Sequence, residues 1–214
     1  MLPRKVRDEQ FRRAAKDIAD EGRTLLGQDR LWILWQAVKN VAALQLPAAE
    51  VGAYRGGSAA FIARAFADLA GRVPAIDVVD TFEGHPAEKL TAEDSEVHRP
   101  GLFGRTSFEE VRDYLSRHPE VRVHKGEFSA VAGELTEAHY GFAHIDVDLY
   151  EPTLDCLRFF SARMPPGGAI VVDDYEARKC PGIKRAAEEF LAETDAGFQA
   201  WNPLTEQLVL VKMG

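Results

Sequence analysis

Four aspartates in two short motifs are the residues best placed to do chemistry. His144-Ile145-Asp146-Val147-Asp148-Leu149-Tyr150 and Val171-Val172-Asp173-Asp174-Tyr175 each close an apolar run that reads as a strand. Alternation along a strand puts Asp146 and Asp148 on one face. If the two strands are neighbours, as their order in the chain predicts, four carboxylates meet at one sheet edge. Carboxylates that close either take up protons or are neutralised by a cation, and an oxygen-only set suits Mg2+ or Mn2+. A divalent ion there would be a Lewis acid, binding a small-molecule hydroxyl and lowering its pKa so that the oxygen becomes a nucleophile. The plainer alternative is a set of ordinary strand-end aspartates.

A second constellation, Glu50-Val51-Gly52-Ala53-Tyr54-Arg55-Gly56-Gly57-Ser58, sits where an apolar run gives way to a helical one. That is where an open α/β sheet binds a nucleotide. Gly52, Gly56 and Gly57 would let a ligand approach the backbone, and Ser58 is expected to cap the helix, whose free N–H groups suit a carboxylate. The dinucleotide pattern G-x-G-x-x-G is absent, because Tyr54 stands at its second glycine. This argues against a nicotinamide oxidoreductase and for a nucleoside cofactor with a carboxylate end, such as S-adenosylmethionine. Asp80, at the end of the next strand, could accept from both ribose hydroxyls, with Thr81 and Phe82 walling the adenine; a turn or cap role is its alternative.

These groups must be held by a frame, and the chain supplies one. Short apolar runs at Ala48–Gly52, Ala75–Asp80, Val121–His124, Phe142–Val147 and Ala169–Val172 alternate with helical stretches, the pattern of a parallel sheet covered on both faces. Phe198–Asn202 and Gln207–Lys212 are too close for a helical crossover, so they form a hairpin with a reversed last strand. The fold class is α/β: a doubly wound, Rossmann-like, mostly parallel seven-stranded sheet. Residues 1–46 read as a helical arm, with one helix from Arg7 to Leu26 and an apolar one from Leu31 to Leu44; residues 47–214 form the catalytic domain. The apolar helix needs the sheet or a second subunit to cover it, which implies a homo-oligomer. Residues 84–106, rich in Glu, His, Pro and Gly, read as a mobile lid or substrate loop. His85 opens that loop and is placed to touch acceptor or cofactor. Phe103, Tyr150 and Tyr175 could line an acceptor pocket or simply pack. His98, His139 and His144 are read as ordinary surface or interior histidines.

Composition removes other classes. A net charge of -8 lacks the basic surface that nucleic acid requires. Two cysteines, Cys156 and Cys180, make neither a disulfide framework nor a zinc site, so the cytoplasm is the expected compartment. There is no membrane-length apolar run, and the first residues lack the apolar stretch of a secretory signal.

The sequence resembles the macrocin O-methyltransferases (TylF/MycF type), class I S-adenosylmethionine-dependent enzymes that methylate sugar hydroxyls on glycosylated natural products. The resemblance rests on Glu50-Val51-Gly52 with Gly56-Gly57-Ser58, Asp80-Thr81-Phe82-Glu83-Gly84 with Pro86, His144 to Tyr150 with Thr153, Pro166-Gly167-Gly168, and Val172 to Tyr175 with Cys180-Pro181-Gly182. It implies Mg2+ on Asp146, Asp173 and Asp174, the cofactor along Gly52–Ser58 with its ribose on Asp80, and adenine contacts from Glu127 and Phe128. Asp148 is the candidate base, because strand geometry sets it close enough to the metal ligands, Asp146 among them, to accept the hydroxyl proton. The chain is shorter than the family before the glycine turn, and Glu176 replaces a glycine after Asp-Asp-Tyr, which implies a different loop or acceptor. A catechol or phenol methyltransferase would use the same fold and a similar metal edge. A cofactor-binding protein without catalysis would have no need of four aspartates.

Overall fold

A computed structural model describes residues 8–193 and 197–214. Arg7, where the first helix was expected to begin, lies outside the described residues. Helix α1 (Glu9–Glu21) starts after Asp8, whose carboxylate accepts from Phe11 N at 2.9 Å, and stops at Gly22, whose φ of 64° breaks the helix. Helix α2 (Gln28–Val41) follows. Then come β1 (Ala48–Val51), α3 (Gly57–Ala70), β2 (Ile76–Asp80), α4 (Phe108–Leu115), β3 (Val121–Lys125), α5 (Phe128–Val131), β4 (Phe142–Ile145), α6 (Tyr150–Ser161), β5 (Ala169–Val172), α7 (Pro181–Glu193), β6 (Phe198–Trp201) and β7 (Leu208–Lys212).

The sheet order is β3-β2-β1-β4-β5-β7-β6, with β7 antiparallel to β5 and β6. The expected mostly parallel seven-stranded sheet with a closing hairpin is present. Its order reverses between β1 and β4, which pair directly (Val51 with Ile145), so their C-terminal ends flank the crevice that such a sheet offers a ligand. Strands β4 and β5 are neighbours as anticipated, Ile145 facing Val172.

Alternating strand residues feed two apolar layers. Ile76, Val78, Phe142 and Val171 pack against α1, α2 and α3, whereas Val79, Ala143, Ile145 and Val172 pack against α5, α6 and α7. The N-terminal helices therefore do not form an appended arm. Phe11 is 2% exposed, with its ring 4.8 Å from Trp32, 5.9 Å from Trp35 and 6.3 Å from Phe61 on α3. The apolar face of α2 is likewise covered within the chain, so it no longer argues for a second subunit.

Residues 84–106 are tied down rather than free. His85 and Gly101 exchange backbone bonds with Leu102 and His85 (3.0 Å each), and Lys89 reaches Glu127, Glu151 and Asp155 at 3.9, 3.6 and 3.6 Å. No helix among the described residues is long and apolar enough to cross a membrane.

Candidate active site

A cavity of about 260 Å³ opens at the C-terminal ends of β1, β2 and β4. Gly52, Tyr54 and Ser58 line it from the first turn, Asp80 and Thr81 from the end of β2, Glu127 and Phe128 from the β3–α5 turn, and Asp146, Asp148 and Asp174 from the carboxylate edge. His85 and Phe103 close it from the 84–106 segment, and Arg23–Leu26 and Arg30 from the α1–α2 connection.

Several expected residues serve this cavity indirectly. Gly52, at φ 93°, is glycine because any Cβ would fall on the Asp146 carbonyl, so the close approach it permits is that of the β4 backbone. Gly57 admits the Arg23–Thr24 backbone in the same way. Gly56, not Ser58, is the N-cap of α3; Ser58 lies within the helix, and its hydroxyl caps nothing. Glu50 is fully buried and turned to His144, away from the cavity. Phe82 packs on Phe108 behind the wall. Tyr150 and Tyr175 do not line the cavity: Tyr150 bonds Glu189 under the Arg185 guanidinium, and Tyr175 lies beneath Lys184. Asp80 does face the cavity, with its oxygens accepting from Tyr54 N and Phe82 N at 2.7 Å each. Burial lifts its pKa despite those bonds.

The four aspartates do meet, but not as the alternation predicted. Strand β4 ends at Ile145, and Asp148 sits at φ 62°, so the two-residue repeat is broken before it. The ligand atoms gather as two sets, His144–Asp146–Asp173 and Asp148–Asp174–Cys180, each within 4.8 Å. The trio Asp146, Asp173 and Asp174 is thus split between them.

His144 and Glu50 face each other across β1 and β4, Nδ1 to Oε1 at 2.9 Å, and His144 Nε2 lies 3.5 Å from Asp173. Burial opposes a charge on His144, but the Asp173 and Glu50 carboxylates win and push its pKa up to about 10. Asp146 is raised well above the carboxylate range, first by burial and then by Asp173; Asp174 is raised to about 6 by the same two causes. Asp148 goes the other way. Burial opposes its ionisation, yet the His85 hydrogen bond (Nε2 to Oδ2, 3.1 Å) and charge leave it below the usual value.

Residues 2–199 match the Macrocin-O-methyltransferase (TylF) family. The chain belongs to this family. It is 30% identical over 178 residues to the 8-demethyl-8-(2,3-dimethoxy-alpha-L-rhamnosyl)-tetracenomycin-C 4'-O-methyltransferase of Streptomyces olivaceus, covering 77% of this chain and 67% of the relative. It is 29% identical over 197 residues to the demethyldecarbamoylnovobiocin O-methyltransferase of Streptomyces niveus, covering 87% and 74%. Among solved structures, the O-methyltransferase NovP superposes with a TM-score of 0.79 at 27% identity, over 90% of this chain and 83% of that one. The protein is accordingly an O-methyltransferase of an S-adenosylmethionine-binding family.

Sequence reasoning missed Arg30 and the part of His144 in this macrocin O-methyltransferase site. Arg30, from the first turn of α2, reaches Asp173 Oδ1 at 2.6 Å, Asp174 Oδ1 at 2.8 Å and Glu206 Oε2 at 2.6 Å. No local motif marks it, since 143 residues separate it from Asp173. His144 was read as ordinary; its place one strand-face below Asp146 was the available signal. The carboxylate oxygens suit a hard divalent cation: Asp146 and Asp174 border the cavity, and burial first, then the neighbouring Asp173 carboxylate, holds both of their pKa values up.

Proposed function

We propose that this protein transfers a methyl group from S-adenosylmethionine to a hydroxyl of a sugar carried by a glycosylated natural product, assisted by Mg2+ or Mn2+. The observation that carries the reading is the cavity itself. It joins the glycine turn and Asp80, suited to a nucleoside with a carboxylate end, to a carboxylate edge suited to a divalent ion. The family membership and the relatives' names support the donor and the acceptor class.

When bound, the sulfonium supplies an electrophilic methyl and the divalent ion a Lewis acid for the acceptor oxygen. The chain's own residues do the rest. Asp80 would accept from ribose hydroxyls, Glu127 and Phe128 would flank the base, and Asp146, Asp173 and Asp174, drawn from the two adjoining clusters, would hold the ion. Asp148, below the usual carboxylate range, is a poor base alone, and its bond to His85 changes the assignment. Asp148 orients the imidazole through its contact with Nε2, and the pair takes the acceptor proton. Phe103, half-exposed at the mouth, offers a flat face to the acceptor.

The test is calorimetric titration with S-adenosylmethionine, with Mg2+ and with chelator, followed by a panel of deoxysugar glycosides and catechols analysed for product mass. Micromolar cofactor binding and methylated glycoside support the reading. No heat from folded protein overturns it, and methylation of catechols alone replaces the acceptor class.

A further inference from the structure

Arg30 stands where the carboxylate edge needs positive charge. A single nitrogen, Nη1, contacts both Asp173 and Asp174, while Nη2 holds Glu206 on the β6–β7 turn. The two aspartates are not equally dependent on it. Asp173 also accepts from Gln207 Nε2 at 3.3 Å and from Asp174 N at 2.9 Å, and lies 3.5 Å from His144. Among the described residues Arg30 is the one ion-pair partner of Asp174. Glu206 is more than half exposed, so it can keep Nη2 while the rest of the guanidinium turns outward. Asp146, by contrast, faces the cavity with no cation of its own among the described residues beyond His144 behind it.

We propose that Arg30 is a placeholder cation: it holds Asp174 and Asp173 while no divalent ion is bound, and Nη1 must withdraw from Asp174 before an ion can enter. This rests on the metal assistance proposed above. It extends that reading by making ion entry a competition with a residue of the chain, hinged on Glu206. A guanidinium and a divalent ion cannot share the same oxygen lone pairs at close range, and charge-assisted bonds of this kind are among the stronger ones. Because Arg30 and Leu26 both line the cavity, ion entry would also move the wall that the α1–α2 connection presents to the acceptor.

The experiment is Mn2+ titration, read by the electron paramagnetic resonance of the free ion, on the full chain as wild type, Arg30→Gln and Arg30→Lys. Thermal melts run with and without Mn2+. Arg30→Gln is expected to bind Mn2+ about tenfold tighter or more, and to melt lower than wild type without the ion but regain more when it is added. Arg30→Lys keeps the charge yet cannot span Asp173, Asp174 and Glu206 at once, so it should fall between the two. If Arg30→Gln does not fold, Arg30→Lys carries the test. Equal or weaker binding by the variants, with wild type still binding Mn2+, overturns the placeholder and leaves metal assistance standing. No Mn2+ bound by any form, with S-adenosylmethionine present, overturns both.

Discussion

Gly52 shows how narrow the tolerances are at the residue scale. Its φ of 93° and the Asp146 carbonyl against its Cα leave no room for a side chain. Gly52→Ala should therefore cost about 3 kcal/mol in chemical denaturation and displace Asp146, with cofactor affinity falling as well. His85 tests the chemistry instead. It is nearly buried, bonded to Asp148 through Nε2, and its Nδ1 has no protein partner. If the pair takes the acceptor proton, His85→Ala should lower kcat by roughly 10²–10⁴, while S-adenosylmethionine binds as before. Unchanged turnover would end that assignment.

At the scale of elements, the informative cases are α1 and the β2–β3 pair. Phe11 joins α1 to α2 and α3 through three ring contacts, so Phe11→Ala should destabilise the fold by about 3–5 kcal/mol in urea, whereas a detachable arm would lose almost nothing. On the opposite face, Asp77 in β2 is buried and accepts from Arg122 at 2.8 and 2.9 Å, from Tyr140 OH at 2.7 Å, and from His124 at 2.9 Å. The hydrogen bond to Asp77 raises the His124 pKa against the effect of burial. A raised folded-state value means the stabilisation is complete below about pH 6.5, the ordinary imidazole value, and is lost as pH climbs through the folded one. The advantage of wild type over His124→Gln in thermal melts should thus be full below about pH 6.5 and shrink as the pH rises above it. Asp77 has the opposite sign: burial works against its ionisation, but its partners depress its pKa, so its contribution fades only in acid.

At the scale of the whole molecule, the cavity joins segments from both halves of the chain, and ligand binding should stabilise all of it. S-adenosylmethionine at about 100 times Kd adds about 2.7 kcal/mol. For a chain of this size that is a rise in Tm of roughly 5–10 °C, measured by scanning calorimetry; no shift would remove the cofactor from the proposal. How much of this was legible beforehand follows from the range of the forces involved. The strands, the closing hairpin and the two aspartate motifs are local patterns of apolarity and turn residues, and the sequence by itself determined them, along with the family. The period-two argument reached Asp146, which extends the face of His144, and failed at Asp148, where the backbone turns left-handed beyond the last paired residue. The tyrosines after each motif were placed by adjacency, yet the start of α6 carries Tyr150 outward to Glu189 and the turn after β5 carries Tyr175 to Lys184. Only the tertiary structure decided that the N-terminal helices complete the core and the cavity wall, and that Arg30 meets Asp173 and Asp174. The Arg30 contacts join residues more than a hundred positions apart, and the burial of Phe11 against Trp35 and Phe61 ties the N-terminal helices to α3. No periodicity records that.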